Sequence, residues 1–454
     1  MPDSLETSAR MIVERLQASG FAAFWVGGCV RDFLLGREPK DFDIATDAKP
    51  AQVEQLFPKT IPVGKKFGVV IVVEQEQQFQ VATFRAEAEY RDGRRPEKVS
   101  FANAEADALR RDFTVNGLFY DPLTGKAHDW VGGETDLRAG IIRTIGEPAD
   151  RFGEDHLRML RAVRFAARLN FKIEPQTFAA IQKLAPKIRM ISAERIREEL
   201  VKLFSPAGKD QANESGGSPA ARGLVLLRES GLLAEVLPEL MATIDCEQTP
   251  DFHPEGSVFN HLCLMLEKMP ADADEMLPWA VLMHDIAKPV TAEHEPVTGK
   301  IHFYGHEKVG AEMAEQIMQR LRFPKKQTGA VVTCVLNHMQ FKDVMVMRKA
   351  TLRRLLMRET FPLELALHRL DCLGSSGNLE HYNFMVEQAK LLEQQPAIRP
   401  PLLNGNDLLA LGLPHGKKIG QLLQAVREKQ LADELRNPEE ALAWVKEQLA
   451  SHVG

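Results

Sequence analysis

The segment from Trp25 to Ile44, WVGGCVRDFLLGREPKDFDI, constrains this chain more than any other. It reads as a strand, a Gly27-Gly28 turn opening a helix with Arg31-Asp32, and a second strand carrying Asp41 and Asp43. Side chains two apart on a strand share a face. Asp41 and Asp43 are therefore expected to face a pair of divalent cations together, while Phe42 and Ile44 enter the core. Backbone N–H groups at Gly27-Gly28 can approach a triphosphate because no side chain blocks them. Two carboxylates, Mg²⁺ and a phosphate cradle point to nucleotidyl transfer with metal help. A DxD pair alone is a weak signal, and the Gly-Gly-x-x-Arg-Asp upstream gives it weight.

With 454 residues the chain should hold about three domains. No apolar run approaches a membrane span, and the polar, amphipathic N-terminus lacks the hydrophobic stretch of a signal peptide. A cytoplasmic protein without a membrane partner is expected. The five cysteines, Cys29, Cys246, Cys263, Cys334 and Cys372, are far apart and read as reduced thiols. A net charge of −6 excludes a surface that attracts RNA everywhere, so RNA would be gripped at local basic patches.

Strand-like runs (FAAFWV, FDIAT, FGVVIVV, QFQVATF, IIRTIG) dominate from Phe21 to Thr144, with a helical piece at 50–57. This predicts a small mixed α/β head over residues 1–148. From Asp150 the apolar spacing turns helical, giving an all-α neck over 149–248, a helical body over 249–395 and a helical tail over 396–454. The Gly/Pro-rich run Ser205–Ala221 reads as a loop or hinge.

Four further blocks follow in order. They are Arg110-Arg111-Asp112-Phe113-Thr114-x-Asn116, Asp129-x-x-Gly132-Gly133-x-x-Asp136-Leu137, Glu154-Asp155-His156-Leu157-Arg158-Met159-Leu160-Arg161, and Ser192-Ala193-Glu194-Arg195-Ile196-Arg197-Glu198-Glu199-Leu200. Each alone has a plain structural reading as an ion-pair cluster, a tight turn or a solvated helix face. With the Gly-Gly/DxD segment they resemble, roughly from Phe24 to Leu240, the class II tRNA nucleotidyltransferase and bacterial poly(A) polymerase family.

The resemblance implies that Asp41 and Asp43 are catalytic and hold Mg²⁺. It implies that Gly27, Gly28 and Arg31 hold phosphates, and that Arg111, Asp112 and Asn116 hold the ribose. It makes Asp155 and Arg158, aided by Arg161, the protein template that selects the base. Positions three apart on a helix share a face, so Asp155 and Arg158 are expected side by side. A carboxylate accepts and a guanidinium donates, which matches the amino group and adjacent ring nitrogen of both cytosine and adenine. Uracil and guanine reverse that order and would leave buried groups unpaired, at about 1–3 kcal/mol each. Arg158, Arg161, Arg164 and Arg168 form a candidate phosphate track opposite Leu157, Leu160 and Val163. The charged run Thr83–Phe101 looks like the loop of CCA-adding enzymes that helps the switch from C to A. Gln80 stands where family members often carry a glutamate, a third carboxylate. The Ser192 block reads as a helix bracing the base-reading helix, with Ser192 as its N-cap.

The dipeptide His284-Asp285 resembles the mark of an HD-domain phosphohydrolase. His261, His306, His338 and Asp371 supply the remaining ligand types in order, with His302 as a rival to His306, and Lys288 follows at the usual spacing. Imidazoles with a bridging carboxylate suit a transition-metal pair such as Mn, Ni or Fe. The implied activity is that of a phosphodiesterase or phosphatase. The tail resembles the region of bacterial CCA enzymes that touches the tRNA elbow, with Lys417 and Lys418 as candidate phosphate contacts.

The expected function is therefore tRNA nucleotidyl transfer, adding or repairing the 3′-CCA from CTP and ATP without a nucleic-acid template. The alternatives are a poly(A) polymerase, a specialised A-adding or CC-adding enzyme, and an HD phosphohydrolase with an RNA-binding head.

Overall fold

The computed structural model describes residues 4–61, 68–85, 102–206, 218–249, 254–296, 300–394 and 400–450. The expected C-to-A loop falls mostly outside these residues, as does the centre of the Ser205–Ala221 run. The chain divides into two compact units, residues 1–241 and 242–454.

The first unit begins with an amphipathic helix, Leu5–Ala18, that buries Ala9, Ile12, Val13 and Leu16. A seven-stranded sheet follows, built from β1 (Ala23–Val26), β2 (Asp43–Thr46), β3 (Thr60–Ile61), β4 (Val69–Glu74), β5 (Gln77–Thr83), β6 (Phe119–Asp121) and β7 (Lys126–His128). The order is β3-β4-β5-β2-β1-β6-β7, and among these only β2 and β5 pair in parallel. Period-two burial fixes the register. Val70 and Val72 of β4, and Phe79, Val81 and Thr83 of β5, are buried while Gln78 and Gln80 are exposed. The turn between β4 and β5 is two residues, Gln75 and Glu76, with φ of 48° and 66°. That left-handed pair is the geometry a tight hairpin requires, and it is met here without glycine.

The run IIRTIG was expected among the head strands. Instead Ile141–Ile142 pairs in parallel with Lys172–Ile173, beyond the long helix Leu157–Leu169. Too short to form a sheet edge of its own, it joins the helical neck to the end of the head. The helix Leu157–Leu169 ends at Asn170 in the left-handed conformation (φ 60°) and packs against the helices Ala193–Phe204 and Pro219–Glu229. Gly223 lets the latter two helices approach each other, because a Cβ there would lie 2.5 Å from Leu203 Cδ1.

Among its described residues, the second unit is helical apart from a small two-stranded ladder, Glu293–His294 with Ile301–His302, and a single bridge between Glu247 and Ser257. Its central helix, Leu277–His284, is buried along its whole length. Such an all-round apolar helix belongs at the centre of a bundle. The tail, from Leu402 to Val445, has its own small core of Leu408, Leu413, Val426, Ala441 and Val445. It is latched to the helix Lys349–Leu356 by Asp433, which accepts from Arg353 and Lys349 at 2.7 Å each. Lys417 and Lys418 are exposed at the start of the helix Lys417–Leu431.

Candidate functional site

In the first unit a cavity of about 480 Å³ opens where the head sheet meets the neck helices. Its lining brings together Gly27, Gly28, Arg31, Asp43, Arg111, Asp112, Asn116, Asp155, Arg158 and Arg161 from the expected set. It also includes Gln80, Arg85, Arg110, Phe165 and Arg195. The volume suits a small ligand.

One end is built by β1, its Gly turn and β2. Gly27 has φ of +77°, and a Cβ there would lie 3.2 Å from Arg111 Nη1. Both facts favour glycine at that bend. Asp43 opens β2 and pairs in register with Gln80 of β5. The position of the frequent third carboxylate is thus beside Asp43 and is neutral here. Burial, and then the charge of Asp41, push the Asp43 carboxyl up to about 6 against the opposing pull of Arg111. A carboxylate pair with that deficit of positive charge fits a divalent cation. Phe42 and Ile44 are buried as expected, at 3% and 0% exposure. Asp41, however, precedes the strand, is exposed, and lines the neighbouring groove instead of the cavity. β2 begins only at Asp43, but the exposed–buried alternation already runs from Asp41 through Phe42 and Asp43 to Ile44, and the two carboxylates remain electrostatic neighbours.

The expected ribose-binding trio is tied to itself. Asn116 Oδ1 accepts from Arg31 Nη1 at 2.8 Å, and its Nδ2 donates to Asp112 Oδ1 at 3.2 Å. Asp112 Oδ2 accepts from Arg161 Nε at 2.8 Å and Nη2 at 2.5 Å. Burial would raise the Asp112 carboxyl, but Arg161 outweighs it and holds the group below its usual range. Arg31 is also clasped by Asp32 at 2.9 and 3.0 Å. These side chains line the cavity as a pre-formed wall spanning head and neck, so their first role is to fix one another.

The base-reading pair is corrected in a similar way. Asp155 lies between the helices Pro148–Glu154 and Leu157–Leu169 in extended conformation, and the i,i+3 relation survives in the backbone, where Arg158 N–H donates to Asp155 O at 3.0 Å. Its Oδ1 accepts from Leu157 N–H at 3.1 Å and its Oδ2 from Arg195 Nη2 at 2.6 Å. Arg158 pairs with Glu154 and donates to Arg151 O, both through Nη1. Asp155 and Arg158 therefore face one cavity, each held by a different partner. The arginine track is likewise not a bare stripe. Arg164 donates to Glu199 at 2.6 Å, Arg168 to Ser205 O at 2.6 Å, and Arg161 to Asp112. Arg164 lies outside the cavity, over the Phe165 ring at 4.2 Å, and lines the adjoining groove.

The brace expected at Ser192–Leu200 is present, since Arg195 and Glu199 reach Asp155 and Arg164. Ser192 is the N-cap residue, but its side chain makes no capping bond. Asp129 accepts from Val131, Gly133 and Glu134 N–H at 2.9–3.0 Å, and Asp136 accepts from Thr114 and Arg143. A Cβ on Gly133 would meet Thr114 O at 2.2 Å, so this block is a structural junction.

Sequence reasoning passed over Asp107. It is 1% exposed. Its carboxylate accepts from Arg110 (2.8 and 2.5 Å), from Arg111 (3.3 and 3.0 Å) and from Arg85 N–H (3.1 Å). The signal available was its spacing, three and four residues before the two arginines on the helix Ala104–Leu109 and its end.

In the second unit the HD ligands converge from five helical segments. Asp285 Oδ2 lies 3.1 Å from His284 Nε2, and Asp285 Oδ1 lies 3.4 Å from His306 Nε2 and 3.8 Å from His338 Nε2. His261 Nε2 is 3.2 Å from Asp371 Oδ1. Each histidine is oriented through Nδ1, by Val281 O (2.8 Å), Phe303 O (2.7 Å), Val335 O (2.6 Å) or, for His261, Glu255 (2.6 Å). This turns every Nε2 inward, as an imidazole ligand requires. Burial drops the His338 imidazole to about 3, so it is neutral. Burial would also lower His261, but hydrogen bonds that it donates to Asp371 and Glu255 lift it to about 9, and a cation must compete with that proton. The buried His284 Nε2 makes no hydrogen bond, and two overlapping groups, His261-His284-Asp285 and Asp285-His306-His338, can each hold a metal ion. The donor set fits the expected pair of ions. His302 is excluded, since it stacks on exposed Tyr304 at 5.3 Å. Lys288 Nζ reaches Asp285 at 2.7 Å and Gln248 at 2.6 Å.

Comparison with known proteins agrees with this division. Residues 23–143 match the family described as "Poly A polymerase head domain", 170–209 "Probable RNA and SrmB- binding site of polymerase A", and 257–374 "HD domain". The chain is 34% identical over 445 residues to the A-adding tRNA nucleotidyltransferase of Deinococcus radiodurans, covering 93% of this chain and 94% of that one. It is 46% identical over 224 residues to the CCA-adding enzyme of Geobacillus stearothermophilus, 49% of this chain and 52% of that enzyme. The match thus spans about half the length of that relative. Among solved structures, the Bacillus stearothermophilus CCA-adding enzyme in complex with CTP superposes with a TM-score of 0.74 at 28% identity, over 99% of both chains. The Thermotoga maritima CCA-adding enzyme complexed with tRNA shares the fold at 18% identity, with a TM-score of 0.56 over 97% of this chain and 94% of that one. No helix among the described residues is long and apolar enough to cross a membrane.

Proposed function

The chain belongs to the tRNA nucleotidyltransferase family that joins a poly(A)-polymerase-type head to an HD domain, and from that premise we propose that it extends the 3′ end of tRNA with CTP and ATP. The observation that carries this reading is the single cavity that unites Gly27-Gly28, Asp43 and the Asp155/Arg158 pair. Asp41 and Asp43 would hold Mg²⁺, which supplies charge neutralisation at the reacting phosphate. The backbone at Gly27-Gly28 and the guanidiniums of Arg110 and Arg111 receive the triphosphate. Asp155 accepts from the exocyclic amino group of C or A while Arg158 donates to the ring nitrogen beside it. Arg195 and Glu154, by gripping these two from behind, keep the donor–acceptor order fixed, so selection needs no nucleic-acid template.

A tRNA transcript ending at its discriminator base tests this. With Mg²⁺, growth by two residues on CTP and by a third only with ATP is the expected result. The full-length match to an A-adding relative favours a second reading, in which A is added only to a CC-ended transcript. A long ATP-only ladder would indicate a poly(A) polymerase, and no growth would refute transfer altogether.

The converging Nε2 atoms favour a second activity at the HD site, phosphodiester or phosphomonoester hydrolysis assisted by Mn, Ni or Fe. Turnover of a 2′,3′-cyclic or 2′-phosphate end that depends on added transition metal tests it. Failure with every metal would leave the cluster structural.

A further inference from the structure

Just ahead of the HD cluster runs a short stretch, residues 246–249, that falls outside the HD family match of 257–374. Burial alternates along it. Cys246 and Gln248 are buried, at 9% and 3% exposure, while Glu247 between them is exposed and forms a strand bridge to Ser257. Side chains two apart on extended backbone share a face, so Cys246 and Gln248 both turn inward. The stretch is pinned on two sides. Cys246 O accepts from Val258 N–H at 2.9 Å, at the start of the helix Val258–Glu267 that carries His261. Thr249 Oγ1 donates to Ile301 O at 3.3 Å, in the ladder that precedes His306.

Gln248 closes a short relay of polar contacts. His284 Nε2 is 3.1 Å from Asp285 Oδ2, which is 2.7 Å from Lys288 Nζ, which donates to Gln248 Oε1 at 2.6 Å. An ammonium only donates, so the amide must turn its oxygen to Lys288 and its nitrogen elsewhere. That nitrogen, Nε2, is buried and has no hydrogen-bond partner among the described residues. His284 Nε2, at the other end of the relay, is in the same state. Buried polar atoms are nearly always paired in folded proteins, so two orphans in one relay call for a ligand. An imidazole nitrogen suits a cation, and an amide N–H suits the oxygen of an anion.

We propose that Gln248 binds the phosphoryl group of the HD site's substrate, donating from Nε2 to a non-bridging oxygen while Lys288 Nζ donates to the same group. The proposal rests on the HD hydrolysis reading above and adds to it the side chain that orients the phosphate ester. The Nδ1 atoms of the HD histidines are already engaged by Val281 O, Phe303 O, Val335 O and Glu255. The ligands therefore have no N–H to spare for an anion. Lys288 carries three donors, of which Asp285 and Gln248 take two, and Gln248 adds its own. A neutral amide supplies a hydrogen bond to phosphate without a further charge that would compete with a cation for Asp285. Held by Lys288 at its oxygen and by the pinned backbone behind it, the amide needs little ordering when the anion arrives.

The test is calorimetric titration of inorganic phosphate into the nickel-loaded chain, with His284→Ala as the blank for phosphate bound in the head. Gln248→Met keeps the length of the side chain and removes both donor and acceptor. It is expected to weaken phosphate binding about tenfold or more, with nickel content by elemental analysis and Mg²⁺-supported nucleotide addition within about twofold of the unmodified chain. On a Lys288→Met background the same change should still weaken binding about threefold or more, because Gln248 acts directly. Gln248→Glu, which keeps an acceptor for Lys288 and removes the donor, should bind phosphate no better than Gln248→Met. Unchanged phosphate affinity in Gln248→Met overturns the proposal. No further loss on the Lys288→Met background also overturns it, because Gln248 would then serve only to hold Lys288. Loss of nickel in Gln248→Met and Gln248→Glu alike overturns it too, since the residue would then be structural. A chain that binds phosphate through Gln248 but hydrolyses neither a 2′,3′-cyclic nor a 2′-phosphate end refutes the hydrolysis reading and supports the phosphoryl site. A chain that hydrolyses either end, with a phosphate affinity indifferent to Gln248, does the reverse.

Discussion

The head cavity and the HD cluster are both dense in charge, and they are built on opposite plans. In the head, guanidiniums and carboxylates satisfy one another along the cavity wall, as in Arg31–Asn116–Asp112–Arg161. In the HD cluster, each imidazole is anchored through its outer Nδ1, and the inner nitrogens converge on Asp285, on Asp371 and on one another, with 3.0 Å between His306 and His338. A wall with its bonds already made can hold a shape and select a ligand by the few edges left over. A set of imidazole nitrogens turned towards Asp285 offers a donor set that suits a cation. The difference teaches that self-satisfied charge makes a rigid wall, whereas nitrogens anchored from behind make a convergent donor set.

The comparison is broken most sharply at Asp43. Asp43→Ala, or Asp41→Ala, is expected to lower nucleotide addition by about a thousandfold or more while nucleotide binding partly survives. Radioactive incorporation and a separate binding titration check this, and full activity in either variant would sink the mechanism. His284→Ala, by contrast, should abolish transition-metal retention, read by elemental analysis after gel filtration, and leave Mg²⁺-supported addition within about twofold. Loss of addition in that variant would mean that the two sites are not independent.

Asp107→Ala tests whether the head wall is as self-reliant as it looks. It strips the shared carboxylate from Arg110 and Arg111, a buried break costing about 3–5 kcal/mol. Nucleotide affinity should fall at least tenfold, and Asp107→Glu should recover part of it. Wild-type affinity in Asp107→Ala would show that the arginines hold themselves. Gly133→Ala should cost the first unit about 1–3 kcal/mol through the clash with Thr114 O, seen as a lower unfolding midpoint with HD metal binding unchanged.

The smallest expected effect is at the tail latch. Hydrogen bonds from Arg353 and then Lys349 hold the Asp433 carboxyl down to about 2. A depressed carboxylate stabilises above its unfolded value near 3.8 and loses that contribution as pH falls towards 2. Hydrogen exchange at the tail should therefore rise between about pH 4 and pH 2 in the native chain, and this increment should vanish in Asp433→Asn. An identical pH response in both would remove Asp433 from the account.

Much of this was legible in advance because the motifs are local. Gly27-Gly28, Asp43 and the His284-Asp285 pair carry their chemistry within a few residues, and strand alternation assigned Phe42 and Ile44 to the core. The HD ligands were legible by residue type and order, since few side chains other than histidine and aspartate serve such ions. Partnership was not legible. Helical spacing set Asp155 beside Arg158, but a break between two helices gave Asp155 to Arg195, forty positions away. The arginine track read as a row of cations open to phosphate because the acids that neutralise it, Asp112 and Glu199, come from other elements.

The sequence by itself determined most element types, the candidate site residues and the order of the blocks, because periodicity and short motifs act over one or two turns of chain. Tertiary structure alone decided which cation meets which anion and that Gln80 lies beside Asp43. Those outcomes depend on strand pairing and helix packing between residues tens of positions apart, where the energy of a charge is set by what is folded against it.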